Sequence, residues 1–299
     1  ANSFRTDRGV VSNLSGYPAQ PTTSIMKYPR KTQSLPSIPR SLKKAGYDLG
    51  YYYGGDINFT NTRAYLVSMG IDKIVSDKDF PVSQRLSKWG VHDHLVFERA
   101  LGDIRNRQYR EPFLRVIQTS SSHEPFDVPF KRLKDPYLNS VAYTDSCIGQ
   151  FIHHLKETDA WKNTVVILVP DHAAHFPQEI KDDSPDRYKI PLIMTGGAIR
   201  QPQRISTYAS QIDSAATMLY QLGIPSKEFA FSKNILNPRS PHFGYFTFPN
   251  LFGFITPGAQ VVYNCDAGKT VLANGTDAPQ NLERGKALLQ KLYDDLAGR

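Results

Sequence analysis

Thr164-Val165-Val166-Ile167-Leu168-Val169-Pro170, followed at once by Asp171-His172, is the stretch on which the reading of this chain turns. A β-branched run of that length reads as a buried strand. A carboxylate followed by an imidazole at its C-terminal end lies where open α/β sheets place their ligands. Asp and His are hard oxygen and borderline nitrogen donors, a pair that suits Zn or Mn, but a dipeptide supplies only part of a coordination sphere. The remaining partners have to come from elsewhere.

On either side of this stretch, strand and helix patterns alternate. Thr6 to Gly16 has a Thr/Asp start, apolar residues at 10, 11 and 14 and a Gly stop, as a short helix should. Residues 37–45 read as a second helix with Pro39 in its first turn, and 47–53 as a strand running into Gly54-Gly55-Asp56. Further helices are expected over 61–68, 93–106, 135–157 and 211–222. Further strands are expected over 73–75, 113–118 and 189–194, the one at 113–118 buried. The polar cluster Thr119-Ser120-Ser121-Ser122-His123-Glu124-Pro125 follows the end of that strand. After Pro225 the character changes to short aromatic or β-branched runs at 242–248, 252–256, 260–263 and 270–273, which read as an antiparallel meander before a last helix over 281–296. The alternation implies an α/β fold with a mostly parallel sheet flanked by helices, followed by a small C-terminal antiparallel sheet.

The 299 residues, 40% of them hydrophobic, suffice for one large α/β domain with a sizeable core. No stretch of about 18 uninterrupted apolar residues exists, and the first residues lack the pattern of a signal peptide. The formal net charge of +8 suits an anionic partner such as a phospholipid headgroup or a phosphorylated substrate, and equally a solvated basic surface. With no long Lys/Arg block, RNA-binding signature or zinc-finger spacing, nucleic acid is not the expected partner. Cys147 and Cys265 are too few for a disulfide framework and leave the redox compartment open; Cys147, inside a helical pattern, reads as a buried free thiol.

Four loops carry the residues with chemistry: Arg5-Thr6-Asp7-Arg8, Gly54-Gly55-Asp56, Ser120-Ser121-Ser122-His123-Glu124 and Asp171-His172-Ala173-Ala174-His175. Each alone is weak, since a Thr at a helix start is commonly an N-cap and a loop His is commonly solvated. Together, at strand ends and a helix start, they describe an enzyme or a metal-binding protein.

Ser3-Phe4-Arg5-Thr6-Asp7-Arg8-Gly9, Ser15-Gly16-Tyr17-Pro18, Tyr53-Gly54-Gly55-Asp56-Ile57-Asn58-Phe59, Ser87-Lys88-Trp89-Gly90-Val91, Ser121-Ser122-His123-Glu124-Pro125-Phe126, Asp171-His172 and Ser210-Gln211-Ile212-Asp213 form a larger set. With these the chain resembles the lipoteichoic acid synthase-like phosphoglycerol transferases of the alkaline phosphatase and sulfatase superfamily. The resemblance implies that Thr6 is both nucleophile and metal ligand, that Asp171 and His172 are paired metal ligands, and that His123 holds the substrate phosphate. Arg63 and Asp56 are implied substrate contacts. His175 is a supplementary ligand, a phosphate contact or a plain loop histidine. The implied cofactor is a divalent metal, Mn or alternatively Mg or Zn. The implied substrate is an anionic phospholipid or phosphorylated envelope glycan.

The resemblance also implies a core over 1–228 whose first strand, ending in an acidic ligand, lies upstream of residue 1. Residues 229–299 then form the C-terminal antiparallel strands and final helix. Membrane attachment through that absent N-terminal part, on the extracytoplasmic face of a bacterial inner membrane, is expected, with Thr6, Asp171, His172 and His123 converging at one end of the sheet. Thr at the nucleophile position, without a Cys/Ser-x-Pro-x-Arg motif, argues against a formylglycine sulfatase. A sulfatase-like hydrolase and an inert binding domain stay open as alternatives.

Overall fold

The computed structural model describes residues 1–299. In chain order its elements are α1 (Thr6–Ser15), α2 (Pro29–Thr32), α3 (Ile38–Lys44), β1 (Asp48–Tyr53), α4 (Thr62–Ser68), β2 (Ile74–Val75), α5 (Asp93–Arg105), β3 (Phe113–Gln118) and α6 (Pro136–Leu155). They continue with β4 (Val166–Leu168), β5 (Ile193–Thr195), α7 (Asp213–Gln221), β6 (Gly244–Phe248), β7 (Leu251–Thr256), β8 (Ala259–Asn264), β9 (Lys269–Asn274) and α8 (Ala278–Gly298). Contacts divide the chain into two compact units that do not follow chain order. The first comprises Ala1–Ser41, Ile167–Ile193 and Pro202–Arg299, and the second Leu42–Val166 and Met194–Gln201.

In the second unit, β2, β1 and β3 form a parallel sheet in the order β2-β1-β3, with Asp48 opposite Phe113 and Tyr53 opposite Gln118. An ion network locks this sheet at one end. Asp48 Oδ2 accepts from Arg115 at 2.6 Å and Oδ1 from Lys73 at 2.6 Å, tying the centre strand to β3 and to the residue before β2. Burial pushes the Asp48 carboxyl up, but the hydrogen bonds from Lys73 and Arg115 outweigh it and hold the group below the ordinary carboxylate range. Against the sheet pack α5 and α6, through Val96, Ala100, Ile104, Tyr143, Phe151 and Leu155.

In the first unit, β6, β7, β8 and β9 form an antiparallel meander in sequence order, and α8 lies on it. The aromatic runs that suggested the meander supply its core. Phe252 and Leu292 are fully buried, and Tyr188 stacks on Phe246 at 3.9 Å between ring centroids. Burying one such aromatic side chain contributes about 2–3 kcal/mol.

The apolar run over 164–170 forms a shorter strand than its length predicts. Thr164 closes the preceding turn, its N–H donating to Trp161 O and its hydroxyl to Ala160 O, so pairing begins only at Val166. The strand expected over 189–194 shrinks likewise to Ile193–Thr195, since Pro191 has no N–H to donate to a ladder. Neither β3 nor β4 is buried as expected; both are half-buried throughout. The cause is pairing: β3 is an edge strand bonded to β1, and β4 pairs with β5 in a two-stranded sheet, so each keeps one row of backbone groups unpaired. No helix is long and apolar enough to cross a membrane, and both cysteines are free, Cys147 buried as expected.

Candidate active site

In the first unit, Thr6 is the first helical residue of α1, one position past Arg5, whose extended backbone makes Arg5 the cap residue. The hydroxyl of Thr6 is therefore not engaged as the N-cap. No side chain caps the first turn of α1, and although Arg8 N and Gly9 N donate to Arg5 O, the start of the helix keeps the partial positive charge of a helix N-terminus. Arg8 is turned away from that end, donating twice to Thr23 O.

Gly9 joins α1 to the Asp171 loop. A Cβ built on it would stand 2.0 Å from Asp171 O and 2.8 Å from Asp171 Cα, so helix and loop touch backbone to backbone, a contact only glycine permits. Thr6 and Gly9 are three residues apart and share a helix face, with Thr6 at the N-terminal side.

Gln211 straps the same loop from the other side. Its Nε2 donates to Pro170 O at 2.6 Å and Asp171 O at 2.8 Å, while its Oε1 accepts from Asn2 N at 3.0 Å. Asn2 in turn binds Tyr245 O and Ala19 N, so the residues before α1 are pinned to β6. Gln211 owes its place to Asp213, fully buried at the start of α7, which accepts from Ser210 N at 2.7 Å and from Lys233 Nζ at 2.5 Å.

Asp171 and His172 are half-buried, and their side chains lie close together. Asp171 Oδ1 accepts from His172 N at 2.9 Å, and His172 Nδ1 lies 3.0 Å from Ala173 O. A proton on Nδ1, donated to that carbonyl, leaves the Nε2 lone pair outward, the tautomer a metal needs. Nε2 and Asp171 Oδ2 then stand 3.6 Å apart, close to the spacing of two ligands on one ion. His175 is exposed and its Nε2 is bonded to Ile180 O, at a pocket that Glu179 and Asp182 also line.

The second unit holds Asp56, Arg63 and His123. Asp56 follows β1 and its Oδ1 accepts from Asn58 N at 2.9 Å and Asn58 Nδ2 at 3.0 Å, making the turn that leads to α4. Thr60 and Asn61 both have positive φ, a strained entry that sets Arg63 in the first turn of α4, exposed to solvent. The loop at 87–91 is pressed against the end of β1: Val91 N donates to Gly54 O at 2.8 Å, and Gly90, at φ 114°, leaves no room for a Cβ.

His123 stands beside Trp89, their rings 4.3 Å apart, and both point at one carbonyl. Trp89 Nε1 donates to Glu124 O at 2.6 Å, and His123 Nδ1 lies 3.1 Å from the same oxygen. Phe59 meets the far edge of Trp89 at 5.9 Å. Behind them the buried Asp93 carboxylate holds the 120–121 turn: Ser120 N donates at 2.8 Å, Ser121 N at 3.2 Å and Thr144 Oγ1 at 2.9 Å. Burial raises the Asp93 carboxyl above its ordinary range, against the pull of these donors.

The structure thus seats α1, which begins at Thr6, on the Asp171 loop through Gly9, ties His175 to Ile180, and sets Asp56, Arg63 and His123 on the loops of the other unit. Gln211, Asp93 and Trp89 were missed as positioning residues. Gln211 and Trp89 lie inside the motifs that carry the family resemblance, and Asp93 lies at the start of a helix, positions that announce no holding role. Nothing in composition or spacing marks a side chain that holds another residue's backbone.

A model of the sulfatase family matches residues 1–224. Phosphoglycerol transferase I of Xanthomonas campestris is 25% identical over 245 residues, 76% of this chain and 32% of the relative, so the chain spans about a third of that protein. A protein of the alkaline phosphatase superfamily from Vibrio parahaemolyticus superposes with a TM-score of 0.87 at 24% identity, over 100% of this chain and 77% of the other. The lipoteichoic acid synthase LtaP from Listeria monocytogenes superposes with a TM-score of 0.80 at 21% identity, over 99% and 82%. At these identities the two structures speak for the fold. Since the family match runs unbroken from the Thr6 helix through the Asp171-His172 loop and α7, the chain belongs to the sulfatase family and has an alkaline phosphatase superfamily fold.

Proposed function

We propose that this protein is a metal-dependent phosphoglycerol transferase or phosphodiesterase that uses Thr6 as its nucleophile. The observation that carries the reading is the seating of α1 on the Asp171 loop through Gly9, with an uncapped helix N-terminus at Thr6 and ligand atoms of Asp171 and His172 3.6 Å apart. The similarity to a phosphoglycerol transferase supports phosphoglycerol as the transferred group, and the donor proposed to carry it is a glycerophospholipid. Thr at the nucleophile position disfavours the formylglycine chemistry of sulfate-ester hydrolysis.

The donor set fits a divalent cation. Asp171 Oδ2 and His172 Nε2 offer lone pairs, and the Thr6 hydroxyl is the third candidate ligand. Mn is the preferred ion, with Mg and Zn as alternatives. When bound, such an ion neutralises charge on phosphoryl oxygens and lowers the pKa of a coordinated hydroxyl.

In the reaction Thr6 Oγ1 loses its proton and forms a bond to phosphorus, and the bond from phosphorus to the diacylglycerol oxygen breaks, that oxygen leaving with a proton. The N–H groups at the start of α1 favour the negative charge that develops. A hydroxyl of an envelope glycan, or water, then attacks the phosphorus and releases Thr6. His123 and Arg63 are assigned to the phosphoryl oxygens, His175 to a subsidiary contact, and Asp56 to shaping the turn that presents Arg63. The reading places the activity at the extracytoplasmic face of a bacterial membrane, where such lipids and glycans occur. Replacing Thr6 by Ala is expected to lower turnover of a glycerophospholipid by at least about 10³-fold with KM little changed. Wild-type turnover in Thr6→Ala overturns the proposal.

A further inference from the structure

We propose that the C-terminal end of α6 is a second, independent divalent-metal site, formed by His153, His154 and Glu157 and suited to Zn²⁺. The helix ends at Leu155, but the chain keeps a helical turn, Glu157 N donating to His154 O, which folds the carboxylate back over both rings. His154 Nδ1 lies 3.2 Å from Glu157 Oε2 and His153 Nε2 lies 3.7 Å from Glu157 Oε1, and one ligand atom from each residue falls within 4.8 Å of the others. Tetrahedral ligands about 2.0–2.1 Å from a Zn²⁺ ion stand roughly 3.4 Å apart, so small rotations of exposed side chains complete the set.

Two imidazoles and one carboxylate favour Zn²⁺ over Mg²⁺ or Ca²⁺, and three protein ligands leave a position for water. The location adds to this, since the carbonyls ending a helix carry partial negative charge that favours a cation. One group competes: Arg105 Nη2 is 2.9 Å from Glu157 Oε2. Both partners of that pair are half-exposed, so it is weak and displaceable. The neighbouring Lys156 is turned away, its ammonium over the Trp161 ring. All three ligands belong to the second unit, whereas Thr6, Asp171 and His172 belong to the first. A count of bound metal therefore does not by itself report on the catalytic ligands.

Equilibrium dialysis against Zn²⁺, with bound ion measured by elemental mass spectrometry, compares the intact protein with the His153→Ala/His154→Ala double variant. The variant is expected to bind one Zn²⁺ fewer per chain, with unchanged Mg²⁺ binding, circular dichroism and phosphodiester turnover. Glu157→Gln is expected to weaken the same ion by about tenfold or more, and Arg105→Gln to tighten it. Should the double variant misfold, Glu157→Gln and Arg105→Gln carry the comparison alone. Equal Zn²⁺ stoichiometry and affinity in the intact protein and the folded variants overturns the site.

Discussion

The two regions that carry the candidate residues are built by different physics. Around Thr6 and Asp171 the backbone does the positioning: α1 touches the Asp171 loop at Gly9, and one glutamine straps that loop to the residues before the helix. Around His123 side chains do it: Trp89 shares a carbonyl with the imidazole, and the Asp93 carboxylate gathers the N–H groups of the turn before it. Backbone contact leaves no freedom to adjust, so the first region should fail abruptly on substitution. A network of side chains loses one bond at a time, so the second should degrade in steps.

Gly9→Ala is the harshest way to break that comparison. The added methyl has no space beside Asp171 O, and α1 must shift by an ångström or more, a displacement that can cost about 10²-fold in rate, with 1–3 kcal/mol of overpacking strain. Turnover and urea denaturation measure both, and a near-neutral result would mean that the contact at Gly9 does not position Thr6.

Asp93→Ala comes next. It leaves Ser120 N, Ser121 N and Thr144 Oγ1 without their acceptor, a loss of about 3 kcal/mol if the groups stay buried. The expected signature in kinetics is a raised KM, because the turn before His123 loosens while Thr6 is untouched. Trp89→Phe is milder still. It keeps a ring against His123 and loses only the Nε1 bond to Glu124 O, for about 1 kcal/mol of stability and a few-fold rise in KM. A collapse of activity in Trp89→Phe as deep as that in Gly9→Ala would erase the distinction between the two regions.

The smallest effect concerns acid stability of the second unit. His92, buried at the start of α5, is held below its ordinary pKa of 6.5 by burial first and by the neighbouring His94 second, with Asp127 and Asp93 pulling the other way. The unfolded chain then takes up this proton more readily than the folded one. The contribution is complete above pH 6.5 and is lost as the pH falls through the lower folded value. The denaturation midpoint should drop between pH 7.5 and 5.5, and less so in His92→Asn.

Much of this fold is legible in the sequence because its elements carry local signals. The Thr6 helix, β1, β3 and the aromatic meander read correctly from punctuation and periodicity. What did not read was extent and burial. The 164–170 run gives a three-residue strand because Thr164 is spent on a preceding turn, and β3 is half-buried because pairing, which is nonlocal, leaves it at an edge. The site shows the same limit. Thr6, Asp171, His172 and His123 came from residue type, position and family resemblance, whereas Gln211 and Asp93 act on backbone groups of other segments and leave no local trace.

The central claim is that Thr6 becomes covalently attached to phosphorus. Its most direct test is the intact mass of the protein quenched during turnover of a glycerophospholipid, followed by peptide mapping. A phosphoglyceryl adduct on the Thr6 peptide, absent from Thr6→Ala, is the predicted result. Turnover with no adduct at Thr6, or an equal adduct in Thr6→Ala, would contradict it.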